Sequence, residues 1–409
     1  MDASSILLVI LILFVLTYLW GELLDWINLR SHSKVLPSEL SHAYDAKEYA
    51  RSYDYHRTNY RFSLLKGSIS FLLTLAALAL GWFGLLDEWL REHITVHPIG
   101  LPLVFFGVMY FLSDWLSLPF QWYKIFVIEE KFGFNKMTKA TFVKDKLKGY
   151  VLSIIMGGLV IGALFWLVDW MGEGFWIWFW LFISAFSLFM TFFYASIFLP
   201  IFNKLTPLED GELRTAILEY AQSVDFPLNN VFVMDGSRRS SKANAFFSGF
   251  GKQKRIVLFD TLIENHSTEE LVAVLAHEVG HYKRRHIQKG FVINLLQTGA
   301  ILYILSLFVL SPALSAALGA SELGIHLNLI AFMLLFSPIS SIIGVAMNFY
   351  SRKNEFEADH YAATTYEAQP LKDALVKLHQ DNLSNLTPHP LYVFMHYSHP
   401  PLLERLKAI

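Results

Sequence analysis

Cysteine is absent from all 409 residues. That excludes disulfides, thiolate metal sites, cysteine nucleophiles and lipidation of the chain on sulfur, so any bound metal must be held by histidine and carboxylate. Charge is scarce as well: Asp, Glu, Lys and Arg make up 17% of the chain against 54% hydrophobic residues, with a mean hydropathy of +0.40. A soluble globular chain does not have that balance. The net charge is -2 and no basic domain stands out, which leaves nothing to hold nucleic acid. The first apolar run, Ile6 to Trp20, has neither a basic leader nor a small-residue cleavage site. It therefore reads as a retained transmembrane helix rather than a signal peptide. Internal repeats and low-complexity tracts are also missing.

What is present in excess is apolar and aromatic. Aromatic residues reach 16%, including 35 Phe and 11 Trp, as expected where rings fill lipid-facing and interfacial surface. A bilayer core takes about 20 mostly apolar residues to cross. Seven stretches qualify, at 5–24, 64–86, 99–121, 149–168, 175–199, 290–311 and 327–350. The weakest is 99–121, which contains Asp114 and two prolines. The segments between these runs alternate in charge. Residues 25–66, 122–148, 204–289 and 352–409 hold seven, seven, twelve and six Lys and Arg, whereas 87–98 hold one and 169–174 and 313–326 none. Positive segments stay in the cytoplasm, so the alternation requires an odd number of spans, an external N-terminus and a cytoplasmic C-terminus. The fold class expected is an α-helical integral membrane protein with seven transmembrane helices.

The chain divides accordingly into 1–202, with helices one to five, a polar insertion at 203–289, helices six and seven at 290–350, and a C-terminal part at 351–409. The insertion reads as helix, strands, helix: an amphipathic helix over Leu213 to Val224, strands at Val231 to Met234, Ala243 to Phe250 and Arg255 to Leu258, and a helix from Ser267 to His286. Ser267 followed three residues later by Glu270 marks the start of that last helix as a capping box.

Within it lies "AHEVGH". On a helix, residues four apart share a face, so His277 and His281 can both point a ring nitrogen at one zinc ion while Glu278 lies beside it as a general base. Chance alone would place such a motif in a chain with 15 histidines about a few per cent of the time, so it needs a third ligand. His286 lies five residues after His281, about 140° around the helix, with no glycine to turn the chain back, and is set aside as a ligand. "SRKNEFEADHYA", directly after the seventh apolar run, offers Glu355, with Asp359 one turn further on to orient a ligand histidine. Glu357 should point the other way. Taken alone, Glu355 would more often be a solvated surface carboxylate; beside the histidine motif, the ligand reading prevails. Both halves of the site then hang from the cytoplasmic ends of membrane helices, with the zinc at or slightly below the lipid surface.

"AHEVGHYKRRH", "SRKNEFEADHYA", "SKANAFFSGFGKQKRIVLFDTLI", "YSHPPLLERL" and "FVIEEKFGFNKMTKATFVKDKLKG" together resemble the CAAX prenyl protease type 1 family, integral membrane zinc endopeptidases of the gluzincin class. The resemblance runs over most of the chain. It implies seven helices enclosing a water-filled chamber, closed at its cytoplasmic end by an α+β peptidase domain. It also implies one zinc ion per chain on His277, His281 and Glu355, Glu278 as general base, and Asp359 behind the ligands. His399 and Arg405 match family residues that stabilise the tetrahedral intermediate or contact substrate. Without the resemblance, His399 would more often be a turn residue and Arg405 a surface charge. The gluzincin edge strand that pairs with extended substrate would run here through Ala243, Asn244 and Ala245, a stretch whose composition also suits a core strand.

The expected reaction is hydrolysis of a peptide, with zinc acidifying water, Glu278 moving its proton to the leaving amine, and zinc with His399 holding the oxyanion. Expected partners are a peptide or protein substrate, prenylated or otherwise membrane-associated, and membrane lipids. The rivals are a membrane quality-control protease, an intramembrane protease of the site-2 type, and a non-catalytic zinc-binding chamber or transporter. The site-2 type needs its motif in an apolar helix, whereas here it runs into Lys283, Arg284 and Arg285; a transporter would have no use for Glu278. The lack of cysteine, the C-terminal "LKAI" and the short loop at 313–326 favour a bacterial inner membrane over the endoplasmic reticulum.

Overall fold

The computed structural model describes residues 2–41, 44–94, 99–228, 230–248 and 255–409. Six of its helical stretches are long and apolar enough to cross a bilayer by length and composition: Ala3–Ser31, Ala46–Ala79, Gly100–Glu129, Lys139–Phe202, His286–Ser306 and Ile325–Thr365. The difference from the seven expected lies in Lys139–Phe202, whose 64 residues carry expected spans four and five as one stretch. The chain turns within it. Gly172, at φ 55, ends the helix Lys139–Met171, and after a single tight turn the helix Phe175–Phe193 begins. Leu164, Leu167 and Val168 of the first helix are buried together with Phe175 and Phe179 of the second. A position that needs φ > 0 suits glycine, which has no side chain to clash there.

The last of these helices is the one that matters most for function. At about 1.5 Å per residue, the 41 residues of Ile325–Thr365 extend about 62 Å, twice the thickness of a hydrocarbon core. The apolar first half can span while the second half projects beyond it, and that second half bears "NEFEAD".

The projecting turns pack into the polar domain. A four-stranded sheet has the order β1-β2-β4-β3, with β1 Leu205–Pro207, β2 Asn230–Met234, β3 Ala245–Ser248 and β4 Arg255–Phe259. β1 runs antiparallel to β2, β2 parallel to β4, and β3 antiparallel to β4. The strand expected over Ala243 to Phe250 is thus shorter at its start, and its last two residues lie outside the described ones. Ala243 is held instead in the core, which gathers Val231, Ile256 and Leu258 of the sheet with Leu271, Val272, Leu275, Ala276 and Val279 of the helix Thr268–Lys283. That helix presents its other face to Ile325–Thr365, and Ala362 closes the same core. The capping box of Ser267 and Glu270 is formed: the serine hydroxyl accepts from the Glu270 amide, and the Glu270 carboxylate accepts from the Ser267 amide. The helix does not run on to His286, as the sequence suggested. It ends at Lys283, Arg285 takes a left-handed conformation at φ 60, and a new helix begins at His286.

Candidate metal centre

The two halves of the site meet where two helices cross at close range. Gly280 makes this possible: a Cβ placed there would lie 3.0 Å from Ala358 Cα and 3.1 Å from Ala358 O and Tyr361 Cβ. One turn before Gly280 on its helix stands His277; on the facing helix Glu355 stands one turn before Ala358 and Asp359 immediately after it. His277, His281 and Glu355 each offer a ligand atom to a common point. The His281 Nε2 lies 3.1 Å from His277 Nε2 and 3.3 Å from Glu355 Oε1, and His277 Nε2 lies 3.4 Å from Glu355 Oε2. Ligand atoms about 2.0–2.2 Å from one zinc at tetrahedral angles stand about 3.3 Å apart. Glu355 Oε2 is buried without a hydrogen-bond partner, as befits an atom whose partner would be a cation. Two imidazoles and a carboxylate with one side left open are the donor set of a catalytic zinc site.

Behind the trio the partners differ from ring to ring. His277 Nδ1 faces Asp359 Oδ1 at 2.8 Å, and Asp359 takes a two-pronged hydrogen bond from Arg405, with Nε to Oδ2 at 2.8 Å and Nη2 to Oδ1 at 2.6 Å. Both Asp359 and Arg405 are buried. Burial alone would lower the pKa of His277, but hydrogen bonds to Asp359 and Glu355 outweigh it and, in the metal-free protein, hold the ring up to about 9. Behind His281 stands an imidazole instead. Its Nδ1 faces Nδ1 of the buried His286 at 3.0 Å, and His286 Nε2 faces Glu357 Oε2 at 3.1 Å.

Glu278 follows His277 on the helix, about 100° around, and is partly exposed. His399 approaches from the open side with Nε2 3.4 Å from Glu355 Oε1, its side chain 64% exposed and its Nδ1 3.0 Å from Ser398 Oγ. The C-terminal tail is held there by the projecting helix itself. Arg352 donates to the carbonyls of Val393 and Tyr397, and Asn348 to that of Met395.

The structure therefore brings together His277, His281, Glu355, Asp359, His399 and Arg405, all singled out from sequence, with Glu278 next to His277 along its helix. Arg405 is the one whose surroundings differ from expectation: it lies buried behind His277, with its fork occupied by Asp359 and Nη1 3.8 Å from Glu355, rather than on the open side. Of the substrate strand, Ala245 lies in β3, while Asn244 precedes it and pairs through its carbonyl with the Phe259 amide, and Ala243 is buried. β3 is an edge strand. Arg352 and Asn348 were missed, as was the link of His286 and Glu357 to His281. His286 was correctly kept out of the ligand trio, but its place behind His281 depends on a left-handed arginine, for which the sequence has no signal. Glu357 does point away from the metal position, toward His286.

Comparison with known proteins covers most of the chain. Residues 25–204 match the family described as "CAAX prenyl protease N-terminal, five membrane helices", and residues 207–409 match "Peptidase family M48". A CAAX prenyl protease 1 homolog of Arabidopsis thaliana is 37% identical over 385 residues, covering 91% of this chain and 90% of its own. The CAAX prenyl protease 1 of Saccharomyces cerevisiae is 33% identical over 415 residues, with 94% and 91% covered. Among solved structures, the crystal structure of S. mikatae Ste24p superposes with a TM-score of 0.93 at 31% identity, over 98% of both chains.

Proposed function

The chain belongs to the CAAX prenyl protease 1 family of membrane zinc metalloendopeptidases, and from that premise we propose that it cleaves peptides near the C-termini of prenylated CAAX-type or other membrane-associated proteins. The observation that carries the reading is the convergence of His277, His281 and Glu355 on one point that His399 approaches from the open side. We read one zinc ion per chain at that point. When bound, it would supply Lewis acidity to the attacking water and the scissile carbonyl.

The side chains have distinct parts in this reaction. Glu278 accepts the proton of the attacking water and delivers it to the leaving amine, as a partly exposed carboxylate next to a ligand can. His399 donates from Nε2 to the oxyanion. Its exposure leaves room for substrate, and Ser398 and the Arg352 clamp on the tail restrict where the ring can point. Asp359 and Arg405 hold His277 in place, so we assign Arg405 to positioning rather than to substrate contact. The free side of β3, beginning at Ala245, with Asn244 and Ala243 leading into it, would receive an extended substrate through backbone hydrogen bonds.

The basic segments at 204–289 and 352–409 favour a cytoplasmic peptidase domain, with the membrane helices around a chamber that admits a lipid-bearing peptide from the bilayer. The cysteine-free composition favours a bacterial inner membrane, where the natural peptide need not be prenylated. The test is cleavage of a farnesylated C-a-a-X peptide by the purified protein in detergent, wild type against Glu278→Gln, with zinc measured in both. Expected are zinc in both proteins and turnover lost by about 10²-fold or more in the variant. A variant as active as wild type would remove Glu278 from the mechanism. Zinc in both with no cleavage by either would reject the prenylated peptide as substrate.

A further inference from the structure

Each ligand histidine in a zinc site must carry its proton on the nitrogen that faces away from the metal, and that proton needs an acceptor. For His277 the acceptor is the Asp359 carboxylate, at 2.8 Å. For His281 the group at that position is another imidazole, His286, with Nδ1 facing Nδ1 at 3.0 Å and the ring planes 75° apart. Two facing ring nitrogens cannot both carry a proton, nor can both lack one, if a hydrogen bond joins them.

Ligation settles the choice. With the His281 Nε2 lone pair given to a metal, His281 Nδ1 is the donor and His286 Nδ1 the acceptor. The remaining proton of a neutral His286 then sits on Nε2, which faces Glu357 Oε2 at 3.1 Å. Donor and acceptor alternate without conflict from metal position to carboxylate. The backbone is bent to achieve this: Arg285, a non-glycine residue at φ 60, turns the chain so that His286 lies against the helix it has just left, at a conformational cost of about 1 kcal/mol or more.

We propose that His286 and Glu357 are the positioning arm of His281, a relay that fixes its tautomer and ring plane as Asp359 does for His277. This rests on the zinc site proposed above. The arrangement makes the two ligand histidines unequal, one backed directly by a carboxylate and the other through a neutral ring. It also ties both arms to one helix, since Glu355, Glu357 and Asp359 lie within five residues of each other. Any shift of Ile325–Thr365 therefore moves a ligand and both orienting carboxylates together.

The experiment compares purified full-length wild type, His286→Ala, His286→Asn and Glu357→Gln, measuring zinc release to excess chelator and the visible absorption of the cobalt-substituted proteins. An asparagine side chain places its carbonyl oxygen where His286 Nδ1 stood, and glutamine keeps an acceptor for His286 Nε2–H. His286→Ala should weaken zinc binding about 10–100-fold and shift the cobalt spectrum, because nothing accepts from His281. His286→Asn and Glu357→Gln should stay within about threefold of wild type, with its spectrum. Equal losses in the Ala and Asn variants would show that His286 only fills space and would overturn the proposal, as would no loss in either. A wild-type protein that binds no zinc would instead overturn the metal centre itself.

Discussion

Replacing Asp359 by asparagine tests two jobs that the structure gives to one carboxylate. Asp359 accepts from His277 and also neutralises Arg405, and both it and the arginine are buried, 1% and 7% exposed. The first job concerns metal: losing a carboxylate behind a ligand histidine typically costs 10–100-fold in affinity, about 1.4–2.7 kcal/mol. The second concerns the fold, and it is the larger. Breaking a buried ion pair by removing one partner costs about 3–5 kcal/mol, because the other charge is left without compensation. The stranded guanidinium lies 3.8 Å from Glu355, so it would also draw on a carboxylate proposed to hold the metal. Asp359→Asn should therefore be less stable to heat without metal and bind zinc more weakly. The double variant Asp359→Asn, Arg405→Met removes the stranded charge. It should recover most of the lost stability while zinc affinity remains at least tenfold below wild type. The assays are thermal unfolding of the chelator-treated protein in detergent and zinc competition. A single variant that kept wild-type zinc affinity would show that Asp359 serves Arg405 alone, and a double variant no more stable than the single would refute the ion-pair argument.

Two further outcomes follow from the same geometry. His277 is held near pH 9 in the metal-free protein, above the ordinary value of 6.5, so its bound proton stabilises that form fully below about pH 6.5 and the contribution is lost as pH rises through about 9. Zinc must displace that proton, so apparent zinc affinity should climb over the same interval; a competition titration that is flat from pH 6.5 to 9 would contradict the Asp359–His277 coupling. His399→Ala should lower kcat about 10²–10³-fold with zinc content and melting temperature unchanged, because an exposed ring contributes little to packing and a great deal to a developing oxyanion. Unchanged kcat in peptide hydrolysis would put the oxyanion donor elsewhere.

The membrane part was legible in the sequence because composition alone decides whether a run of residues can lie in hydrocarbon. No period or partner had to be known for Ile325–Thr365 or Ala3–Ser31. The turn at Gly172 was legible only as a gap between two apolar runs, since what ends the helix there is backbone conformation, with Gly172 at φ 55. In the polar domain the capping box at Ser267 marked its helix correctly, because both reciprocal bonds are made within four residues. The end of that helix was misplaced. Arginine is a good helix former, and nothing in "KRRH" announces that Arg285 adopts a left-handed conformation. The three-residue strand β1 was passed over for a related reason. Leu205–Pro207 is too short to show an alternation and exists as a strand because β2 lies alongside it.

The same division runs through the site. His277, His281 and Glu278 could be read directly because a helix turns spacing into geometry, and Glu355 and Asp359 because they sit one turn apart on a helix that had to continue from a span. What the spacing could not show is why the two helices come close enough for these groups to meet. Gly280 answers that. A glycine inside a helix costs about 1 kcal/mol relative to alanine, and between two ligand histidines it looks like a weakness. Yet any Cβ there would press on the backbone of Ala358 at 3.0 Å, three residues from Glu355 and one from Asp359. The helices would have to separate by some tenths of an ångström, and ligand atoms that stand 3.1–3.4 Å apart would separate with them. A zinc ion tolerates about 0.2 Å in its bond lengths. The glycine thus sets the width of the metal centre while contributing no atom to it, which is why it cannot be recognised from the chemistry of its own side chain.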